Sequence, residues 1–152
     1  MALDNDQVIN KLNHILGTLR DGEKGYREAS EETSDASHKT MFLEFSQQRG
    51  RLASEIESEI RSLGGEAHDH TSAGAAIHRV WLNVRDAITG KDDYAVVAEV
   101  ERGEDVAIHN YQDVMDENLP ANIKDMVAKQ YSEVKAAHDR MRDLKHSMQA
   151  AN

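Results

Sequence analysis

The sequence predicts an all-α fold, and three observations carry that prediction. Apolar residues recur at helical rather than alternating spacing, proline occurs once (Pro120), and Ala, Glu, Lys, Arg, Leu and Met are common while aromatics are few. A chain of 152 residues is read as one domain spanning 1–152, long enough to bury a core without cross-links.

The first helix is expected from about Asn5 to Glu32, its apolar stripe being Val8, Ile9, Leu12, Ile15, Leu16, Leu19 and Tyr26. Gly17, Gly22 and Gly25 each weaken it by roughly 1 kcal/mol relative to alanine, so a break near Asp21-Gly22 is allowed for. TSDAS (33–37) is a polar turn in which Asp35 or Ser37 caps the second helix. That helix carries Phe42, Phe45, Leu52, Ile56, Ile60 and Leu63 inward and ends at Gly64-Gly65. Thr71 or Ser72 is expected to cap a shorter third helix reaching about Thr89, with Ala73, Ile77, Val80, Trp81, Val84 and Ile88 on its apolar side. A fourth helix follows TGKDD (89–93) and runs to about Glu117. Asn118-Leu119-Pro120 turns the chain into a fifth, to about Met148, with proline near its first position. The seam of that last helix, Val127, Val134, Met141 and Met148, repeats every seven residues as bundle helices do.

Short turns join the first two and the last two helices into antiparallel hairpins. A crossover of about 27 residues (65–91), bearing the short helix, joins the hairpins. One long crossover in that place is the connectivity of a ferritin-like four-helix bundle.

Composition removes several function classes. Without cysteine there is no disulfide, zinc finger, thiolate nucleophile or iron–sulfur ligand. A net charge of −10 opposes nucleic acid and anionic membrane surfaces as partners. No positive region followed by an apolar stretch marks a signal peptide, and the longest apolar run, YAVVA (94–98), is too short to span a bilayer; a cytoplasmic location is the expectation. No nucleophile–base arrangement or phosphate loop is visible.

The candidate site comes from polar residues inside apolar stripes. At roughly 100° per residue, Glu104 falls at the centre of the stripe formed by Val97, Val100, Ala107, Ile108, Tyr111 and Met115, with Glu101 on its flank. Asp105 and His109, a ligand-like pair four residues apart, point to water. Glu23 lies beside Tyr26, Arg49 lies between Phe45, Leu52 and Ile56, Gln130 is central on the last helix, and His138 sits at that helix's edge. At roughly 1.5 Å per residue, Glu23, Arg49, Glu104 and His138 fall at about 14–18 Å from one end of the bundle. Charged groups sharing a core are normally paired, so these four are expected to form one buried polar cluster. The loop EAHDH (66–70) offers His68 and His70, without a third ligand nearby.

The motifs GG (64–65), HRVW (78–81), ERGED (101–105) and AAHDR (136–140), in that order, resemble an uncharacterised family of small bacterial four-helix-bundle proteins, over about residues 6–148. The resemblance implies a ferritin-like bundle and carries no established activity. Di-iron members of the wider fold place a glutamate on each of two helices and Glu-x-x-His on each of the others. Glu23 and Glu104 match the lone glutamates, but Lys135 stands three residues before His138, and Arg49 occupies the core of the second helix. The leading expectation is therefore a non-catalytic bundle without a cofactor; the kind of family suggests a stress-related or partner-binding role. An alternative is a metal-binding protein or oxidase using Glu23, Glu101, Glu104, Glu133 and His138 with iron, manganese or zinc. A third is a module whose protein partner docks on the crossover helix at His78 and Trp81. A homodimer is compatible with such a bundle.

Overall fold

The computed structural model describes residues 2–68 and 74–151, with side chains over 2–68 and 78–150. The described residues form five helices, and none is in a strand: α1 (Asn5–Glu32), α2 (Ala36–Ser62), α3 (Gly74–Thr89), α4 (Asp93–Met115) and α5 (Ala121–Ala151). His70, the expected cap at Thr71 or Ser72, Ala73 and the side chain of Ile77 lie outside the described residues. No described helix is long and apolar enough to cross a membrane.

The ends are set by local chemistry. Asp4 caps α1 through a reciprocal box: the Gln7 amide N–H donates to its carboxylate at 2.8 Å, and the Asp4 N–H donates to the Gln7 side chain at 2.9 Å. Asp35, of the two residues considered, caps α2 by accepting from the Ser37 and His38 amides. Gly64, at φ +82°, ends α2 in the left-handed region that favours glycine.

Two apolar clusters fill the bundle. One joins the first half of α1 (Val8 to Leu19) to the second half of α2 (Leu52 to Ile60), the second half of α4 (Ala107 to Val114) and the start of α5 (Ile123 to Val134). The other joins Tyr26 and Ala29 to Met41, Phe42 and Phe45, to Val96, Val97 and Val100, and to Ala137 and Met141. The direction of each helix follows: α1 and α5 run one way, α2 and α4 the other, and the crossover travels the length of the bundle. The α3 helix packs on α1 and α4, burying Val80 and Val84 in the second cluster. Helices α1–α2, α4–α5 and α1–α4 pack side by side. The α2 and α5 pair is bridged by Arg51 to Glu133 at 2.7 Å and by Gln130 donating to the Leu52 carbonyl at 3.3 Å.

Two sequence expectations need correction. The α1 helix runs unbroken through Gly22, and at Gly25 the glycine serves close packing. The hydrogen of Gly22 faces the Arg49 side chain, where a β-carbon would sit 3.6 Å from Cγ, and Gly25 lies under the indole of Trp81. Packing gained there offsets the poor intrinsic propensity of glycine. The buried face of α4 is also rotated from the expected stripe. Val96, Gly103, Asn110 and Val114 are buried, whereas Ile108 and Met115 are only half-buried, since α4 is covered by α1 and α3 as well as α5.

Gly25 yields a test. Gly→Ala inside a helix ordinarily stabilises by up to about 1 kcal/mol. Here a β-carbon would overlap the indole of Trp81, the chain's one tryptophan. Gly25→Ala is expected to destabilise by about 1–3 kcal/mol and to red-shift tryptophan fluorescence. Urea unfolding followed at the Trp81 emission checks both.

Candidate functional site

The centre of the bundle holds a buried ion pair. Arg49 and Glu104 are 2% and 1% exposed, and Arg49 Nη2 donates to Glu104 Oε2 at 2.6 Å. Each is placed by its helix: Arg49 stands between Phe45 and Leu52 on the apolar face of α2, Glu104 between Val100 and Ala107 on that of α4. The second Glu104 oxygen, Oε1, accepts from the Tyr26 hydroxyl in a short hydrogen bond. Arg49 Nε donates to Gln48 Oε1 at 3.1 Å, and the guanidinium lies 5.6 Å from the centre of the Tyr26 ring. About two helical turns along α4 from Glu104, the buried Tyr111 hydroxyl donates to Gln130 Oε1 at 2.8 Å, and Gln130 Nε2 also donates to Glu55 at 3.1 Å. This polar layer separates the two apolar clusters.

The electrostatics keep Arg49 charged and Tyr26 neutral. Burial by itself would lower the Arg49 pKa, but the adjoining Glu104 carboxylate reverses that and leaves it above the ordinary arginine value. Burial, then the negative charge of Glu104, raises the Tyr26 pKa well above that of a free phenol, so Tyr26 remains a donor.

The four-residue cluster expected from the sequence does not assemble as such. Glu23 is half-buried, pairs with Arg20 at 2.9 Å and sits against Gly50 of α2. Arg20 in turn binds Glu57. His138 lies on the outer seam between α4 and α5, with Nε2 2.6 Å from Asp105 Oδ1 and Nδ1 3.0 Å from Asp139 Oδ1. The physical reason is rotational. Residues at one height meet only if they also face the same interior point, and Glu23 and His138 sit at the edges of their stripes.

The alternative metal set of Glu23, Glu101, Glu104, Glu133 and His138 likewise disperses. Glu133 pairs with Arg51 and Glu104 with Arg49, whereas Glu101 takes Lys145 at 3.0 Å. Only Glu101 and His138 of that set come together, joined by Asp105. His78 is exposed; Trp81 packs on Tyr26 with ring centres 4.8 Å apart, as a lid on the bundle. Asp105 is exposed but turned to His138, and His109 is exposed as expected. His68 is exposed, and its backbone N–H donates to Asn13 Oδ1 at 2.6 Å.

Sequence reasoning missed the hydroxyl of Tyr26, the pairing of Arg20 and the part of Asp105. Tyr26 left a readable signal: a tyrosine in the middle of an apolar stripe needs a partner for its O–H.

The family model described as "Domain of unknown function (DUF2383)" matches residues 7–117. The chain belongs to the DUF2383 family. The DUF2383 match takes in α1 through α4, and with them Tyr26, Arg49, Glu101, Glu104 and Asp105; His138 and Gln130 lie beyond it. No curated protein matches the chain.

Tyr26 provides a direct test of the polar layer. Tyr26→Phe keeps the ring against Trp81 and Phe42 but strips Glu104 Oε1 of its donor. Leaving one buried acceptor unsatisfied costs about 1–3 kcal/mol. Chemical denaturation is expected to show a loss of that size; a change below about 0.5 kcal/mol, typical of an exposed site, would mean that Oε1 is solvated.

Proposed function

We propose that this DUF2383 chain is a non-catalytic, ferritin-like bundle whose central position is filled by an ion pair instead of a metal pair. One observation carries the reading: Arg49, fully buried, donates to Glu104 at 2.6 Å at the middle of the core. A di-iron site in such a bundle needs inward carboxylates from all four helices and histidines from two. Here the inward carboxylate of α4 is committed on both oxygens, to Arg49 and to Tyr26. The corresponding place on α2 carries a cation, which repels a metal ion. Glu23 is turned to Arg20, and Lys135 stands where α5 would need a glutamate. The parallel α2 and α4, joined by a crossover that spans the bundle, support the ferritin-like connectivity. On this reading the chain acts as a rigid scaffold and offers its surface, not its centre, to other molecules.

Iron loading tests the proposal. Apo-protein incubated with Fe(II) without oxygen and desalted is expected to retain no iron that depends on Glu104. About one or two irons per chain, as a di-iron centre requires, lost in Glu104→Ala, would overturn the reading.

A further inference from the structure

Outside the polar layer, α4 and α5 share a second group of polar side chains with different chemistry. Glu101 and Asp105 stand one turn apart on α4, and His138 faces them from α5. One ligand atom from each lies within 4.8 Å of the other two. The side chains of Glu101 and His138 are 14% and 17% exposed and that of Asp105 is 61% exposed, so the group is held by packing yet open to solvent on one side.

The hydrogen bonds of His138 sharpen the point. Its Nδ1 is 3.0 Å from Asp139 Oδ1, which favours a proton on Nδ1. In the neutral imidazole the other nitrogen, Nε2, is then an acceptor. It nevertheless lies 2.6 Å from Asp105 Oδ1, itself an acceptor. Two acceptors meet at that distance only with a positive species between them: a second proton on the ring, or a metal ion. A carboxylate behind the far nitrogen of a histidine is also the usual outer partner of a metal-bound imidazole, where it fixes the tautomer and strengthens the ligand.

We propose that Glu101, Asp105 and His138 form a binding site for a divalent transition-metal ion of the zinc class, with water in the open fourth position. Two carboxylates and one imidazole suit zinc, whereas calcium and magnesium prefer more oxygen ligands. Ligand distances of about 2.0–2.1 Å require roughly 3.3 Å between donor atoms in a tetrahedral site. His138 and Asp105 therefore separate slightly as the ion enters. The ion replaces the Nε2 proton of the imidazolium, which leaves to solvent. Lys145 holds Glu101 Oε2 at 3.0 Å, and the carboxylate's second oxygen serves the metal. The ion would tie α4 to α5 from outside the core, so the site goes beyond the scaffold reading without depending on it.

Isothermal titration of chelator-stripped full-length protein with Zn2+ tests the proposal. About one Zn2+ per chain is expected, with micromolar affinity and proton release. His138→Gln and Asp105→Asn should each weaken binding at least tenfold, and Asp139→Asn about 10-fold or more through the lost outer partner. His109→Gln, one turn beyond Asp105 and exposed, should leave binding unchanged. Imidazole NMR of the wild type needs no variant: Zn2+ should shift the Nε2 resonance of His138 and leave its Nδ1 protonated. No Zn2+ binding, binding that survives His138→Gln, binding lost in His109→Gln, or an unmoved His138 resonance would each overturn the assignment.

Discussion

A guanidinium and a carboxylate buried side by side impose the strictest constraint on this structure. Neither Arg49 nor Glu104 can be left alone in an apolar core, because an uncompensated buried charge costs several kcal/mol. The α2 and α4 helices that carry them are each flanked by α1 and α5, so the pair reaches through the middle of the bundle. Its contact at 2.6 Å fixes the rotation of both helices, since turning either one would separate the charges. Tyr26 brings α1 into the same constraint through Glu104 Oε1. The open face of Gly22 then gives the Arg49 stem room against the α1 backbone. Such a pair adds little net stability over well-packed apolar residues. What it offers is a penalty on alternative rotations and registers of the helices.

The outer seam between α4 and α5 uses the same residue types to a different end. His138 lies between Asp105 and Asp139 at the protein surface. Burial by itself would lower its pKa, but the hydrogen bonds to Asp139 and Asp105 raise it above the ordinary histidine value. The Asp139 carboxyl is held down to about 2, chiefly by His138 and Lys135. In the core Arg49 and Glu104 face each other as fixed opposite charges. At the seam the positive partner is a proton that can exchange with solvent. The contrast separates a buried ion pair from a group that is open to solvent on one side.

Much of the fold was legible in the sequence, and the reasons are physical. The bounds of α1 follow from an apolar stripe with acidic and polar residues at its start, and the α2 stop follows from Gly64-Gly65. Arg49 and Glu104 could be picked out because each occupies the centre of a stripe, where a long side chain has no path to water. Glu23 and His138 were grouped with them on stripe position and height, and neither contains the rotation that each helix adopts against its neighbours. Gly25 was read as a weak point, because only the opposing Trp81 reveals that the missing side chain is required. The displaced stripe of α4 has the same origin: the covering by α3 is a tertiary fact that periodicity in one helix does not contain. The crossover helix and the two hairpins, by contrast, depend on connection lengths that the chain states outright.

The central claim is that Arg49 and Glu104 act as one buried unit, and a double-mutant cycle measures it most directly. Arg49→Leu leaves Glu104 buried without its cation, and Glu104→Gln leaves Arg49 without its anion. Each single change is expected to cost about 3–5 kcal/mol in unfolding free energy at neutral pH. The double variant should cost clearly less than the sum, with a coupling of about 1–3 kcal/mol. Additive losses, or a loss within about 0.5 kcal/mol for Arg49→Leu, would contradict the account.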